Sequence, residues 1–287
     1  MSPVPAFFAG YQTGVDEVLQ RLVVAERGTI ERSMAYTLFA PSKRVRPVLT
    51  QLSAEVCGGT ATQALAAAAA MELVHTSSLI LDDLPAMDNA ALRRGRPANH
   101  LEFGEAIAIL AAFGLLNLAF STLTRGYDPS LSARLAALLD DAVGNDGLIA
   151  GQAADLLATE QEIGFDLLER IHRGKTGALF NASAVAGAMT AGADADSVAT
   201  LSAFAKNLGL AFQIIDDLLD VEGDPAQTGK AARKDARKTT FVSFSGVAGA
   251  HQLAAELCRT ADRALAPFGR RADKLRDLSA FVAARNS

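Results

Sequence analysis

The chain has 287 residues, half of them hydrophobic and only 6% aromatic, with no Trp. That profile suits Ala- and Leu-rich helix packing and argues against a β-sandwich. A formal net charge of −5 argues against a general nucleic-acid binder, so an anionic ligand must be drawn in by local basic clusters.

The first residues, Met1-Ser2-Pro3-Val4-Pro5, lack a basic segment leading into an apolar run, so no signal peptide is expected. Helical periodicity dominates from Val15 onward, and no alternating β-branched run is long enough to suggest a sheet. Short breaks fall at Ala40-Pro41-Ser42, Cys57-Gly58-Gly59, Arg94-Gly95-Arg96-Pro97, Tyr127-Asp128-Pro129, Gly192-Ala193-Asp194 and Gly223-Asp224-Pro225. They predict about ten helices, with no linker long or polar enough to divide them, hence one all-α domain over residues 1–287. Ala106–Leu123 and Gly177–Ala193 carry no charge. Their small and polar residues predict helices buried in a bundle core or subunit interface, not membrane spans. Cys57 and Cys258 form no C-x-x-C pair, and a reducing cytoplasm is the plain expectation.

Two aspartate clusters follow apolar helical stretches: Asp82-Asp83-Leu84-Pro85-Ala86-Met87-Asp88 and Asp216-Asp217-Leu218-Leu219-Asp220. Carboxylates set against core-forming sequence are costly to bury unless they hold something, and hard divalent cations are the usual occupants. The i, i+4 spacing puts Asp216 and Asp220 on one helical face, with Gln213 beside them. Asp82 and Asp88 stand about 240° apart on an ideal helix. They converge only if the helix loosens or ends near Pro85.

Basic groups recur at Lys43-Arg44-Val45-Arg46-Pro47, Leu92-Arg93-Arg94-Gly95-Arg96-Pro97, His172-Arg173-Gly174-Lys175-Thr176-Gly177, and Lys230 with Lys234 to Lys238. Any one alone reads as a solvated surface patch. Four of them beside two carboxylate clusters describe a pocket for metal-bridged polyphosphates. His75 lies two helical turns before Asp82 on the same face, where it can donate to a phosphate.

With these segments the chain resembles the trans-isoprenyl diphosphate synthases, from about Lys43 to Gly246. Lys43–Pro47, Glu72–Asp88, Leu92–Gly95, Gly151-Gln152 with Asp155, Lys175–Gly177 and Phe212–Asp220 carry the likeness. It implies an all-α bundle around a central cavity, and a homodimer. The four-residue spacer in the first cluster and its Leu-Asp-Asp start look like bacterial geranylgeranyl diphosphate synthases of carotenoid pathways.

Residue by residue, the resemblance implies that Lys43, Arg46, His75 and Arg94 hold the diphosphate of isopentenyl diphosphate. Arg93, Lys175, Thr176, Gln213, Lys230 and Lys238 would hold the diphosphate of an allylic partner, whether dimethylallyl, geranyl or farnesyl. Asp82, Asp88 and Asp216, supported by Asp83 and Asp220, would bind magnesium, about three ions per site. Ser77 and Ser78, small where shorter-chain relatives often carry an aromatic ring, would leave room for a twenty-carbon geranylgeranyl product. Met71, Val74 and Phe113 are candidates for a deeper stop. Ser42 replaces a common Gly, Asn89-Ala90-Ala91 replace an acidic run, and the Lys230–Lys238 stretch is shorter than usual. Farnesyl diphosphate synthase is the alternative product class. A non-catalytic subunit would lack a cluster, and a terpene cyclase would lack Lys43, Arg46 and His75.

Overall fold

The computed structural model describes residues 5–159, 161–222 and 239–284, and these are almost wholly helical. The helices are α1 (Phe8–Leu22), α2 (Thr29–Leu38), α3 (Val45–Val56), α4 (Leu65–Asp82), α5 (Asn99–Phe103) and α6 (Glu105–Gly126). They continue as α7 (Pro129–Val143), α8 (Leu148–Leu157), α9 (Phe165–His172), α10 (Ala178–Thr190), α11 (Ala195–Glu222), α12 (Phe241–Ala264) and α13 (Asp273–Ala283). Boundaries follow local chemistry. Pro129 opens α7 while the Asp128 side chain accepts from Ser130 N and Leu131 N. A reciprocal cap between Thr240 and Ser243 opens α12.

One break is more ordered than expected. Leu92–Arg93 (β1) and Arg96–Pro97 (β2) pair antiparallel across Arg94-Gly95, a two-residue turn with both central φ angles positive. Gly suits the second position, but Arg94 adopts φ +54° despite its side chain.

Two buried clusters meet at α10. Phe180, Ala184 and Ala188 join residues of α3, α11, α12 and α13. From the same helix, Leu179, Ala182 and Ala186 join residues of α1, α2, α4, α6 and α7. Packing on both sides explains why Gly177–Ala193 is apolar all round. By contrast, α6 buries one face against α4 and leaves another open, with Leu110 54% and Phe113 63% exposed. Residues 62–82, 105–126 and 195–222 form helices long and apolar enough to cross a membrane by length and composition.

Candidate active site

The first aspartate cluster folds back on itself because α4 stops. It ends at Asp82, and the chain folds back so that Asp88 N donates to Asp82 O at 2.9 Å and Ala90 N to Asp83 O at 3.1 Å. The helix ending required by the six-residue spacing is therefore present. On α11, Gln213, Asp216 and Asp220 are half-buried on one face, whereas Asp217 is buried.

The second aspartate of each cluster is committed to the protein. Asp83 is 1% exposed, and Arg93 Nε lies 3.0 Å from each of its oxygens. Asp217 Oδ1 accepts from Gln213 Nε2 at 3.0 Å, and Oδ2 accepts from Phe241 N at 3.1 Å. Asp83, expected to support the magnesium ligands, holds Arg93; burial works to lower the Arg93 pKa, but the hydrogen bond and charge of Asp83, with the charges of Asp82 and Asp88, raise it on balance. Among the described residues no three acidic, imidazole or thiol side chains converge on one point. Magnesium needs no such cage. It takes one or two carboxylates and completes its shell with water and substrate phosphate, a donor set that half-buried Asp82, Asp88, Asp216 and Asp220 can supply.

Beside the first cluster stands Lys175, on a π-helical turn, Arg173–Gly177, that links α9 to α10. Its Nζ lies 2.8 Å from Asp155 Oδ2 and 3.7 Å from Asp82 Oδ2. Close backbone packing fixes this turn. A Cβ at Gly151 would sit 2.1 Å from Lys175 N, so only glycine lets α8 approach. Thr176 Oγ1 donates to Gln213 Oε1 at 2.8 Å, joining the turn to α11.

The basic side is built from α3, α4 and the hairpin. His75 sits half-buried on α4, and burial pushes its pKa well below the usual value, helped by the charges of Arg46, Arg94, Arg93 and Arg44. Arg46 stacks on Phe180 and Phe212, with its guanidinium 4.7 Å and 6.0 Å from the ring centroids. Lys43 Nζ lies 5.0 Å from the Phe281 centroid. Arg44, placed between them in a left-handed conformation, bonds to Glu72 at 2.7 Å, Asp16 at 2.9 Å and Leu38 O at 2.8 Å.

The two serines face different ways. Ser77 Oγ donates to Ala112 O of α6 at 2.8 Å, inside the α4–α6 contact. Ser78 shares the half-exposed face of His75, Leu79 and Asp82, and its Oγ donates to His75 O. Phe113 is corrected as a deeper stop: it points outward from α6, while Met71 and Val74 are buried. Lys230 and Lys238 lie outside the described residues.

Asp155 and Glu72 belong to the segments that carry the resemblance, yet no role had been read for them. Asp155 precedes Lys175 by twenty residues on another helix, and Glu72 is separated from Arg44 by 28. No local spacing announces either pair.

Comparison with known proteins agrees with this geometry. Residues 27–261 match the polyprenyl synthetase family. The chain is 42% identical over 275 residues to the chloroplastic geranylgeranyl pyrophosphate synthase of Capsicum annuum, covering 93% of this chain and 74% of that protein. It is also 42% identical over 270 residues to the farnesyl diphosphate synthase of Geobacillus stearothermophilus, covering 91% of each. Among solved structures, a Helicobacter pylori geranyltransferase complexed with magnesium and isoprenyl diphosphate superposes with a TM-score of 0.86. It is 28% identical, and the match covers 98% of this chain and 97% of that one. The family match and the identities over most of the chain identify it as a member of the polyprenyl synthetase family of chain-elongating prenyltransferases.

Proposed function

We propose that the protein condenses isopentenyl diphosphate with an allylic diphosphate and releases geranylgeranyl diphosphate. The observation that carries this reading is the juxtaposition of two zones. Arg93 and Arg94 sit on the hairpin tied to the end of α4, Arg46 stacks on Phe180, and His75 lies two helical turns before Asp82, which with Asp155 flanks Lys175. An anion entering the first zone relieves repulsion among the arginines, which favours a diphosphate there.

Lys43, Arg46, His75 and Arg94 bind the isopentenyl diphosphate, and Arg93, Lys175, Thr176 and Gln213 bind the allylic one. Asp82, Asp88, Asp216 and Asp220 would hold magnesium, which would supply Lewis-acid neutralisation of the leaving diphosphate. Lys175 and Arg93 add fixed positive charge to the same oxygens. The allylic C–O bond breaks with its electron pair on the diphosphate. The double bond of isopentenyl diphosphate attacks the allylic cation, forming the new C–C bond, and the adjacent proton passes to the departing diphosphate. Buried side chains such as Met71 and Val74 on α4 exclude the water that would quench the cation.

The absence of a ring at Ser78 on the open face of α4 supports the longer product. The exposed row of Ala106, Leu110 and Phe113 on α6 supports a homodimer built through that helix. Cytoplasmic location and a role in carotenoid supply complete the reading, on the resemblance to bacterial enzymes. The decisive experiment incubates purified protein with magnesium, isopentenyl diphosphate and each allylic primer, then extracts the products. A twenty-carbon alcohol after phosphatase treatment is expected. A fifteen-carbon end product assigns the protein to the farnesyl class, and no condensation sinks the proposal.

A further inference from the structure

The arginine hairpin has little strength of its own. Its strands are two residues each, too short to be stable alone, and Arg94 holds a left-handed backbone conformation that a side chain disfavours. Its shape must be imposed from outside. On one side Arg93 is fixed to Asp83 at the end of α4. On the other, α2 grips the second strand. The Arg96 guanidinium lies 4.1 Å from the Tyr36 ring centroid, and Tyr36 OH donates to Pro97 O at 3.0 Å. The Tyr36 ring is itself braced edge-on by Phe103 at 5.4 Å. Arg94 Nη1 reaches Ala40 O, one turn beyond Tyr36, at 3.4 Å.

A buried anchor keeps α2 in register with the hairpin. Asn99, two residues after β2, accepts from Ser33 Oγ at 2.7 Å and donates to Ser33 O and Thr37 Oγ1, each at 2.9 Å. The hairpin is therefore strung between α4 and α2, and the α2 side determines where the tip points.

We propose that Tyr36 and Arg96 are positioning residues for the isopentenyl diphosphate site, their stack fixing the hairpin so that Arg94 meets that diphosphate. The proposal rests on the role of Arg94 given above. Both residues act through Arg94, so their loss weakens one substrate selectively. Arg93 keeps its own tie to Asp83, which spares the allylic substrate.

Steady-state kinetics on Tyr36→Leu, Tyr36→Phe, Arg96→Leu and the double variant Tyr36→Leu/Arg96→Leu test this. Tyr36→Leu and Arg96→Leu should each raise KM for isopentenyl diphosphate about two- to fivefold. Changes in kcat and in KM for the allylic substrate should stay below about twofold. Tyr36→Phe, which keeps the ring, should shift KM less than Tyr36→Leu. The double variant should be no worse than the more affected single one, because both remove one contact. Arg96 is exposed, so its variant reports even where Tyr36→Leu folds poorly. Unchanged KM in Arg96→Leu overturns the proposal, as do additive losses or equal rises for both substrates with a lowered melting temperature. A wild type that forms no condensation product instead sinks the functional reading on which the proposal rests.

Discussion

Lys175 Nζ is 2.8 Å from Asp155 Oδ2, an ion pair that bridges the π-helical turn and α8 beside the first aspartate cluster. With Asp82 Oδ2 a further contact at 3.7 Å, the lysine is shared between two carboxylates. Asp155→Asn should leave Lys175 leaning more heavily on Asp82 and make that carboxylate a poorer metal ligand. The magnesium concentration for half-maximal activity should then rise roughly tenfold or more, since a charged hydrogen bond is worth about 1.5–3 kcal/mol. A magnesium titration that matches wild type would refute this coupling.

Neighbouring aspartates should fail in different ways. Asp82→Ala and Asp216→Ala remove half-buried carboxylates and should nearly abolish turnover while leaving circular dichroism and melting temperature close to wild type. Asp83→Ala strands Arg93, whose side chain is 17% exposed, and should cost about 3–5 kcal/mol of stability, reduced for its partial exposure. Denaturant unfolding separates the two classes. Near-normal activity in Asp82→Ala or Asp216→Ala would remove that residue from the metal site.

The two diphosphates can be told apart kinetically. Arg46→Ala should chiefly raise KM for isopentenyl diphosphate, whereas Lys175→Ala should act on the allylic substrate. Each should change affinity by roughly one to two orders of magnitude. Parallel effects of both changes on both substrates would mean that the subsites are not separate.

Product length should respond unequally at the two serines. Ser78→Phe places a ring on the open face of α4 and should shift the product towards fifteen carbons. Ser77→Phe instead wedges α4 from Ala112 and should cost about 1–3 kcal/mol of stability through overpacking. Product analysis and melting curves on both variants check this. An unchanged product from Ser78→Phe would put the floor elsewhere.

Stability should also report on His75. Burial and four nearby arginines hold its pKa well below the ordinary 6.5, so the unfolded chain binds this proton more readily than the folded one. The imidazole's unfavourable charging therefore costs nothing above about pH 6.5 and erodes stability as pH falls below it. His75→Gln should lose less stability than wild type between pH 7 and roughly pH 5. Identical acid-side slopes in urea unfolding would show that His75 is charged at no such penalty.

Much of this architecture is visible in one dimension because its periodicities are local. The i, i+4 spacing of Asp216 and Asp220 falls within one helix, and the break expected near Pro85 lies just past the end of α4. What sequence could not separate was which carboxylate faces the solvent-accessible site and which faces an arginine. Asp82 and Asp83 are identical in composition and adjacent in sequence, yet the hairpin that takes up Asp83 arrives ten residues later. Phe113 misled for a related reason: an apolar helix position reads the same whether it faces a cavity or the outside. The Leu92–Pro97 pairing escaped notice because strands of two residues leave no alternating pattern.

The placement of α10 has a mechanical consequence. One helix supplies Phe180 to the cluster behind the α11 carboxylates and Leu179 to the cluster behind α4. Neither cluster can let go of it without opening the other, so the two walls that carry the aspartates share a single hub. Arg46, stacked on Phe180, is seated on that hub as well. Loosening α10 would thus change the distance between the two walls and the aim of Arg46 in one movement. The spacing of the two walls is therefore as stiff as this one helix is immobile.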